Sequence, residues 1–225
     1  MKELSVKTHL LILNSQNLIF ITMIVITNPI PINNEISTIH SLFESGLELL
    51  HIRKPDFSGA EMRSFLSKIK PDVKEQLVLH SHHHLASVFG ANRIHFSESE
   101  RKKTAALFGK SAFSTYKTKG FHLSTSVHRM DDFNALESTF EYAFLSPIFP
   151  SISKENYFSK IDWFEVIRDR TNYTTKLIAL GGIESKNTEQ TLKSGFDAIA
   201  LLGTIWNKNN PIENFKSCQK IVQSF

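Results

Sequence analysis

Two glycine turns near the end of the chain have the make-up of an anion site. Leu180-Gly181-Gly182-Ile183 closes one apolar run, and Leu202-Gly203-Thr204 closes the next. Glycine lets a backbone approach an anion closely, and N–H groups opening a short helix at Gly203 and Thr204 donate to its oxygens. Gly181, Gly182, Leu202, Gly203 and Thr204 are therefore expected to bind phosphate. The plainer reading is two tight turns in which glycine serves only a positive φ. Arg53 ends another apolar run, where its guanidinium fork suits a diphosphate as well as a rim salt bridge. Ser126 and His128 straddle a third run end. A histidine there can act as general acid or base near neutral pH, although an N-capping serine and an exposed helical histidine have the same sequence. Ser151 and Ser153 place hydroxyls for a carboxylate or phosphate just before Lys154.

A second cluster is His80, His82, His83 and His84. Alternating imidazoles on one strand face can bind Zn2+ or Cu2+, which requires the strand to continue through residue 84. No carboxylate or cysteine lies nearby and Leu85 begins a helical pattern, so the expected arrangement has His80 facing a pocket while the others open the helix. His95 alternates with Ile94 and Phe96 and must point the other way, as a hydrogen-bonded histidine inside the fold.

The elements that position these residues are short apolar, β-branched runs alternating with amphipathic stretches, the pattern of βαβ units around a parallel sheet. Strands are predicted over 24–28, 48–53, 76–80, 93–96, 121–125, 142–146, 176–180 and 197–202. Ile36, Ile39, Leu42 and Phe43 share a helical face that stops at Gly46. Ser58 and Glu61 form a capping box ahead of Met62, Phe65, Leu66 and Ile69. Ser185 is the expected cap of a helix ending at Gly195. Eight units without a linker or repeat predict a single α/β domain, a (β/α)8 TIM barrel over 23–225, and in such barrels the loops after strands seven and eight commonly hold phosphate. The rival is an open doubly wound sheet, which normally carries a glycine-rich turn after its first strand. Here that turn reads Thr27-Asn28-Pro29-Ile30-Pro31.

Composition narrows the classes further. The 225 residues include 41% hydrophobic and 21% charged, a globular mixture that excludes disordered and fibrous chains. The net charge of +4 is dispersed, with no aromatic-interleaved basic stripe, so small phosphorylated molecules are the expected partners and nucleic acid is not. The apolar stretch near the start is interrupted at Asn14 to Asn17. It is too short for a membrane span and has no small-residue cleavage site, so residues 1–22 are expected to be an extension outside the barrel. A single cysteine, Cys218, excludes an internal disulfide and fits a reduced thiol and a cytoplasmic location. The pattern is compatible with a homo-oligomer.

Across residues 23 to about 206 the chain resembles the thiamine-phosphate-synthase/TenI family. That family carries a Gln/His-x-Arg strand, an Asn-Asp pair, a Val-His-Leu strand, a Ser-x-His turn, a Pro-Ile-Phe loop leading to lysine, and an Ile-Gly-Gly-Ile turn. The corresponding residues are His51-Ile52-Arg53, His80-Ser81, Ile94-His95-Phe96, Ser126-Val127-His128, Pro147-Ile148-Phe149 leading to Lys154, and Leu180-Gly181-Gly182-Ile183. Each match alone is weak, but they recur in the family's order.

The resemblance implies a barrel that joins a pyrimidine diphosphate to a thiazole phosphate, or one that tautomerises a thiazole carboxylate phosphate. It implies Lys154 on the diphosphate, with His51, Lys54 and His80 among the substrate-binding residues and Arg53, His128 and Lys154 carrying the chemistry. It also implies Mg2+ held by two carboxylates, and here those positions read Ser81 and Glu100, a weakened site for a hard cation. Coupling is the leading expectation and tautomerisation the close alternative. A non-catalytic binder of thiamine precursors is a third, motivated by the absence of Asp at 81. A barrel acting on indole glycerol phosphate would want facing acid and base carboxylates at strand ends, and none is evident.

Overall fold

The computed structural model describes residues 22–109, 111–150 and 161–225. Eight parallel strands close into a barrel in sequence order: β1 (Met23–Ile26), β2 (Leu49–Ile52), β3 (Leu77–Leu79), β4 (Arg93–Phe96), β5 (His122–Val127), β6 (Phe140–Leu145), β7 (Lys176–Leu180) and β8 (Ala198–Leu201). The described helices around it are α1 (Glu35–Glu44), α2 (Gly59–Ser67), α3 (His84–Val88), α4 (Glu98–Phe108), α5 (Ser111–Thr118), α6 (Met130–Asn134), α7 (Trp163–Val166), α8 (Ser185–Lys193), α9 (Gly203–Trp206) and α10 (Pro211–Val222). None of them is long and apolar enough to cross a membrane. The expected extension falls mainly on residues outside the described range. Thr22 itself belongs to the barrel, its N–H and hydroxyl both donating to the Glu48 carboxylate.

The period-two alternation of each strand sorts its side chains between two cores. Ile24, Ile26, Leu49, Val78, Phe144, Ile178, Ala198 and Ala200 fill the barrel interior. Val25, Leu50, Ile52, Leu79, Ile94, Phe96, Leu145 and Leu201 pack outward under the helices. His51 and His95 alternate with outward residues and are buried inside the barrel, as the pattern around His95 predicts. Cys218 is buried in α10, and burial pushes its thiol up to about 11.

Local signals hold at α1, where Gly46 takes φ 92°, and at α2, where the Ser58–Glu61 capping box forms. At α8 the cap is Glu184 rather than Ser185. Its backbone N–H donates to Asn187 Oδ1 at 2.8 Å and its carbonyl accepts from the Asn187 N–H at 3.1 Å, so that Ser185 becomes the first helical residue.

Two ionic clusters fix the frame. Lys54 Nζ meets Glu35 at 2.6 Å, with side-chain exposures of 0% and 4%, and stands 5.1 Å from the Phe65 ring centre. Burial pushes the Glu35 carboxyl up and the Lys54 ammonium down, opposing their mutual attraction. Glu35→Gln leaves the ammonium without its counter-charge and is expected to cost about 3–5 kcal/mol. Glu35→Leu/Lys54→Met should recover most of this in urea unfolding. A single variant as stable as the parent contradicts the assignment.

At the amino end of the strands, Glu141 accepts from Arg93 Nη1 at 3.2 Å and contacts His122. Burial pushes the Glu141 carboxyl up, but His122 and Arg93 outweigh it, and the net shift is downward. A depressed folded pKa contributes stability above the ordinary carboxylate value, and that stability is lost as pH falls through the folded value. The stability gap between the parent and Glu141→Gln is therefore expected at neutral pH and should shrink in acid. A gap that stays constant from neutral pH to well below the ordinary carboxylate range would rule this out.

Candidate active site

The carboxyl ends of the strands surround a cavity of about 630 Å3. Every strand contributes to its wall, through Ile26, Arg53, His80, Ser97, Ser126, Ser146, Leu180 and Leu202. Its size suits a small-molecule ligand. Of the residues singled out from sequence, Arg53, His80, Ser126, His128, Gly181, Gly182, Leu202, Gly203 and Thr204 line this one space. Ser151, Ser153 and Lys154 lie outside the described residues, just beyond Phe149 and Pro150, which continue the loop after β6.

The loop after β6 is tied to the glycine turn. Ile148 N–H donates to Leu180 O at 3.0 Å and Phe149 N–H to Gly181 O at 3.0 Å. Trp163 Nε1 donates to Pro147 O at 2.6 Å. The Ser146–Pro147 peptide is cis. Gly182 takes φ 65°, and a Cβ there would stand 2.4 Å from Pro150 O and 2.7 Å from Phe149 Cβ. The space left by its missing side chain is thus filled by the β6 loop, a role additional to the approach of an anion. On the opposite turn, the Thr204 hydroxyl is used on Ile183 O. The N–H groups of Gly203 and Thr204 open α9 and lack acceptors within the helix.

His128 has a defined orientation at the cavity wall. Its Nδ1 donates to Ser146 O at 2.7 Å, and a carbonyl can only accept, so the neutral ring carries its proton there. Nε2 is left as the acceptor, 3.9 Å from Glu98 Oε2. The other Glu98 oxygen is paired with Lys102, which also lines the cavity. Arg53 faces the same space and has no ion-pair partner among the described residues. Its backbone N–H is fixed by Thr27 Oγ1 at 2.8 Å.

Below the cavity floor the polar groups form a connected layer. His51 Nδ1 and His80 Nε2 lie 2.8 Å apart, and His51 Nε2 is 2.7 Å from the Tyr142 hydroxyl. His95 is 2.9 Å from both Ser124 Oγ and Ser126 Oγ. Burial, reinforced by neighbouring cationic or imidazole groups, lowers the pKa of His51 and His80 well below the histidine range and that of His95 to about 3. All three rings are therefore neutral at neutral pH. His51 is one layer beneath the lining, against His80, His95 and Phe144, which do line the cavity.

Several sequence expectations need correction. Lys54 does not line the cavity, because Glu35 and the Phe57 and Phe65 rings hold it behind the wall. The Ser81 hydroxyl is buried, makes no hydrogen bond among the described residues and is not in the lining. Glu100 is the third residue of α4 and accepts from Ser97 N–H at 2.9 Å as a capping box. Of the pair expected to hold Mg2+, Glu100 is engaged in its helix cap and Ser81 offers only a neutral, buried hydroxyl, a donor set that does not fit that ion. Among the described residues the carboxylate lining the cavity is Glu98, which the sequence reading missed, as it missed Lys102. Ser97-x-x-Glu100 is itself a capping signature, and reading it so frees Glu98 to face the mouth. As expected, His80 lines the cavity and His83 and His84 open α3, so His80, His82 and His84 do not share a strand face. Strand β3 ends at Leu79, and His82 takes φ 52° with its ring on Phe57 O.

Comparison with known proteins agrees with this geometry. A protein-family model described as thiamine monophosphate synthase (TMP-TENI) matches residues 23–205. The thiamine-phosphate synthase of Caldicellulosiruptor saccharolyticus is 22% identical over 199 residues, covering 85% of this chain and 86% of the relative. A thiamine phosphate pyrophosphorylase structure from Bacteroides thetaiotaomicron superposes with a TM-score of 0.69 at 25% identity, covering 90% of this chain and 98% of the other. One from Pyrococcus furiosus superposes with a TM-score of 0.72 at 16% identity, covering 92% and 97%, a likeness of fold. The ordered strand-end motifs, the closed barrel and the match over residues 23–205 make the chain a member of the thiamine monophosphate synthase (TMP-TENI) family.

Proposed function

We propose that the chain is an enzyme of thiamine biosynthesis that moves a proton on a phosphorylated thiazole carboxylate, a tautomerase. The observation that carries this reading is the His128 ring at the cavity wall, whose Nδ1–H is committed to Ser146 O so that Nε2 keeps its lone pair and can serve as a base. Nε2 takes a proton from an sp3 ring carbon and the electron pair shifts along the conjugated system. The imidazolium so formed gives a proton to a second carbon, leaving the ring aromatic and His128 neutral again. No leaving group departs, so no counter-ion for a diphosphate is required. Glu98, at 3.9 Å, stabilises the imidazolium formed in between. The phosphate is held by the backbone at Gly181–Gly182 and Leu202–Thr204, with Ser126 and Arg53 orienting the remainder.

Coupling of a pyrimidine diphosphate to a thiazole phosphate is the second reading, favoured by the curated thiamine-phosphate synthase relatives and by Arg53, which lines the cavity without an ion-pair partner among the described residues. In that reading Lys154 joins Arg53 on the diphosphate. Incubating the protein with both thiamine precursors, with and without Mg2+, and following product mass separates the two. The tautomerase reading predicts no thiamine phosphate under either condition. Thiamine phosphate formed at an enzymatic rate replaces it with coupling.

A further inference from the structure

We infer that His51, His80 and His95 form a binding site for one late first-row divalent cation, of the Zn2+ or Co2+ class, with an open coordination position facing the cavity. The rings come from β2, the end of β3 and β4, and one nitrogen from each lies within 4.8 Å of the others. His51 Nδ1 and His80 Nε2 are already 2.8 Å apart, with a single proton between them. A cation replaces that proton. The nitrogens of a tetrahedral zinc site stand about 3.3 Å apart, so the two rings need separate only slightly. His95 makes the larger adjustment. It stacks on His80 at 4.1 Å with 22° between planes, and it must turn to aim a lone pair at the ion. Its two partners are serine hydroxyls, which rotate with little cost and keep pace with the ring.

The surroundings favour this use. A metal-bound imidazole normally donates its other N–H to an outer partner that fixes the ring. Tyr142 Oη stands ready on His51 Nε2, and Ser124 Oγ on His95 Nδ1. Imidazole-only donors select zinc, cobalt, nickel or copper rather than Mg2+, which demands oxygen. His80 and His95 line the cavity whereas His51 does not, so the fourth position opens toward a water or a donor atom of the bound molecule. Beyond these rings and their hydroxyl partners, the interior is packed by Ile24, Leu49, Val78, Phe144 and Ile178.

The test uses the full chain without a histidine tag, stripped by chelator and titrated with Co2+ at neutral pH. The expected result is one Co2+ per chain with the intense visible bands of four-coordinate cobalt, bleached by equimolar Zn2+ and untouched by excess Mg2+. His51→Gln and His95→Gln should each weaken binding by about a hundredfold or more, while His84→Gln, on the exposed start of α3, should leave it unchanged. Absence of stoichiometric uptake overturns the inference, as does uptake lost in His84→Gln but kept in His95→Gln. If the glutamine variants do not fold, X-ray absorption on the zinc-loaded parent decides. Three imidazole nitrogens in the first shell support the site, and a shell with one imidazole or with oxygen alone refutes it.

Discussion

His128→Ala is expected to lower kcat for thiazole tautomerisation by about 10²–10⁴-fold while leaving KM within a few-fold, the usual span for losing a positioned acid–base group. The proposed phosphate contacts come from the backbone of the two glycine turns rather than from this ring, so binding should survive. The ring's hydrogen bond to Ser146 O lies on an exposed rim and contributes about 1 kcal/mol, so unfolding should move little. Glu98→Gln, which removes the charge facing Nε2, should give a smaller loss in the same direction, because the imidazolium then forms without its counter-charge. A His128→Ala protein with parental kcat would show that another group moves the proton.

Gly182→Ala is expected to damage both stability and phosphate binding. An alanine must hold φ 65° and place its Cβ 2.4 Å from Pro150 O, against backbone that cannot rotate away. Left-handed strain and overpacking together cost about 2–4 kcal/mol. The relief is outward movement of the Phe149–Pro150 segment, which packs against the glycine turn where phosphate is proposed to bind. Affinity for inorganic phosphate or a phosphorylated thiazole should fall by more than about tenfold, or 1.4 kcal/mol. Urea unfolding and calorimetry read the two effects separately. Lost affinity at parental stability would mean that the glycine faces the anion alone, and no change in either would remove its role.

The barrel was legible because each strand carries its own two-residue period and each helix its punctuation, so the eight predicted strands fall within a few residues of those observed. Alternation alone also sent His95 inward, and the strand-end motifs converge on one cavity because a barrel gathers all its carboxyl ends. What stayed hidden were pairings across the sheet. Nothing next to Lys54 in sequence announces Glu35, since their meeting depends on the packing of α1 over the end of β2. The imidazole layer was equally invisible, because its members lie on separate strands and only barrel closure brings their rings together. Glu98 was recoverable and overlooked. The capping signature of Ser97 and Glu100 was in plain view, but a family expectation of a metal carboxylate claimed Glu100 first.

The most direct test of the central claim is a single-turnover reaction of the protein with the non-aromatic tautomer of the thiazole carboxylate phosphate in D2O, followed by proton NMR. The account predicts conversion to the aromatic ring with deuterium entering from solvent, at a rate cut about 10²–10⁴-fold in His128→Ala and unaffected by Mg2+. No acceleration over the uncatalysed reaction, by a protein that makes thiamine phosphate when given the pyrimidine diphosphate and Mg2+, would contradict it.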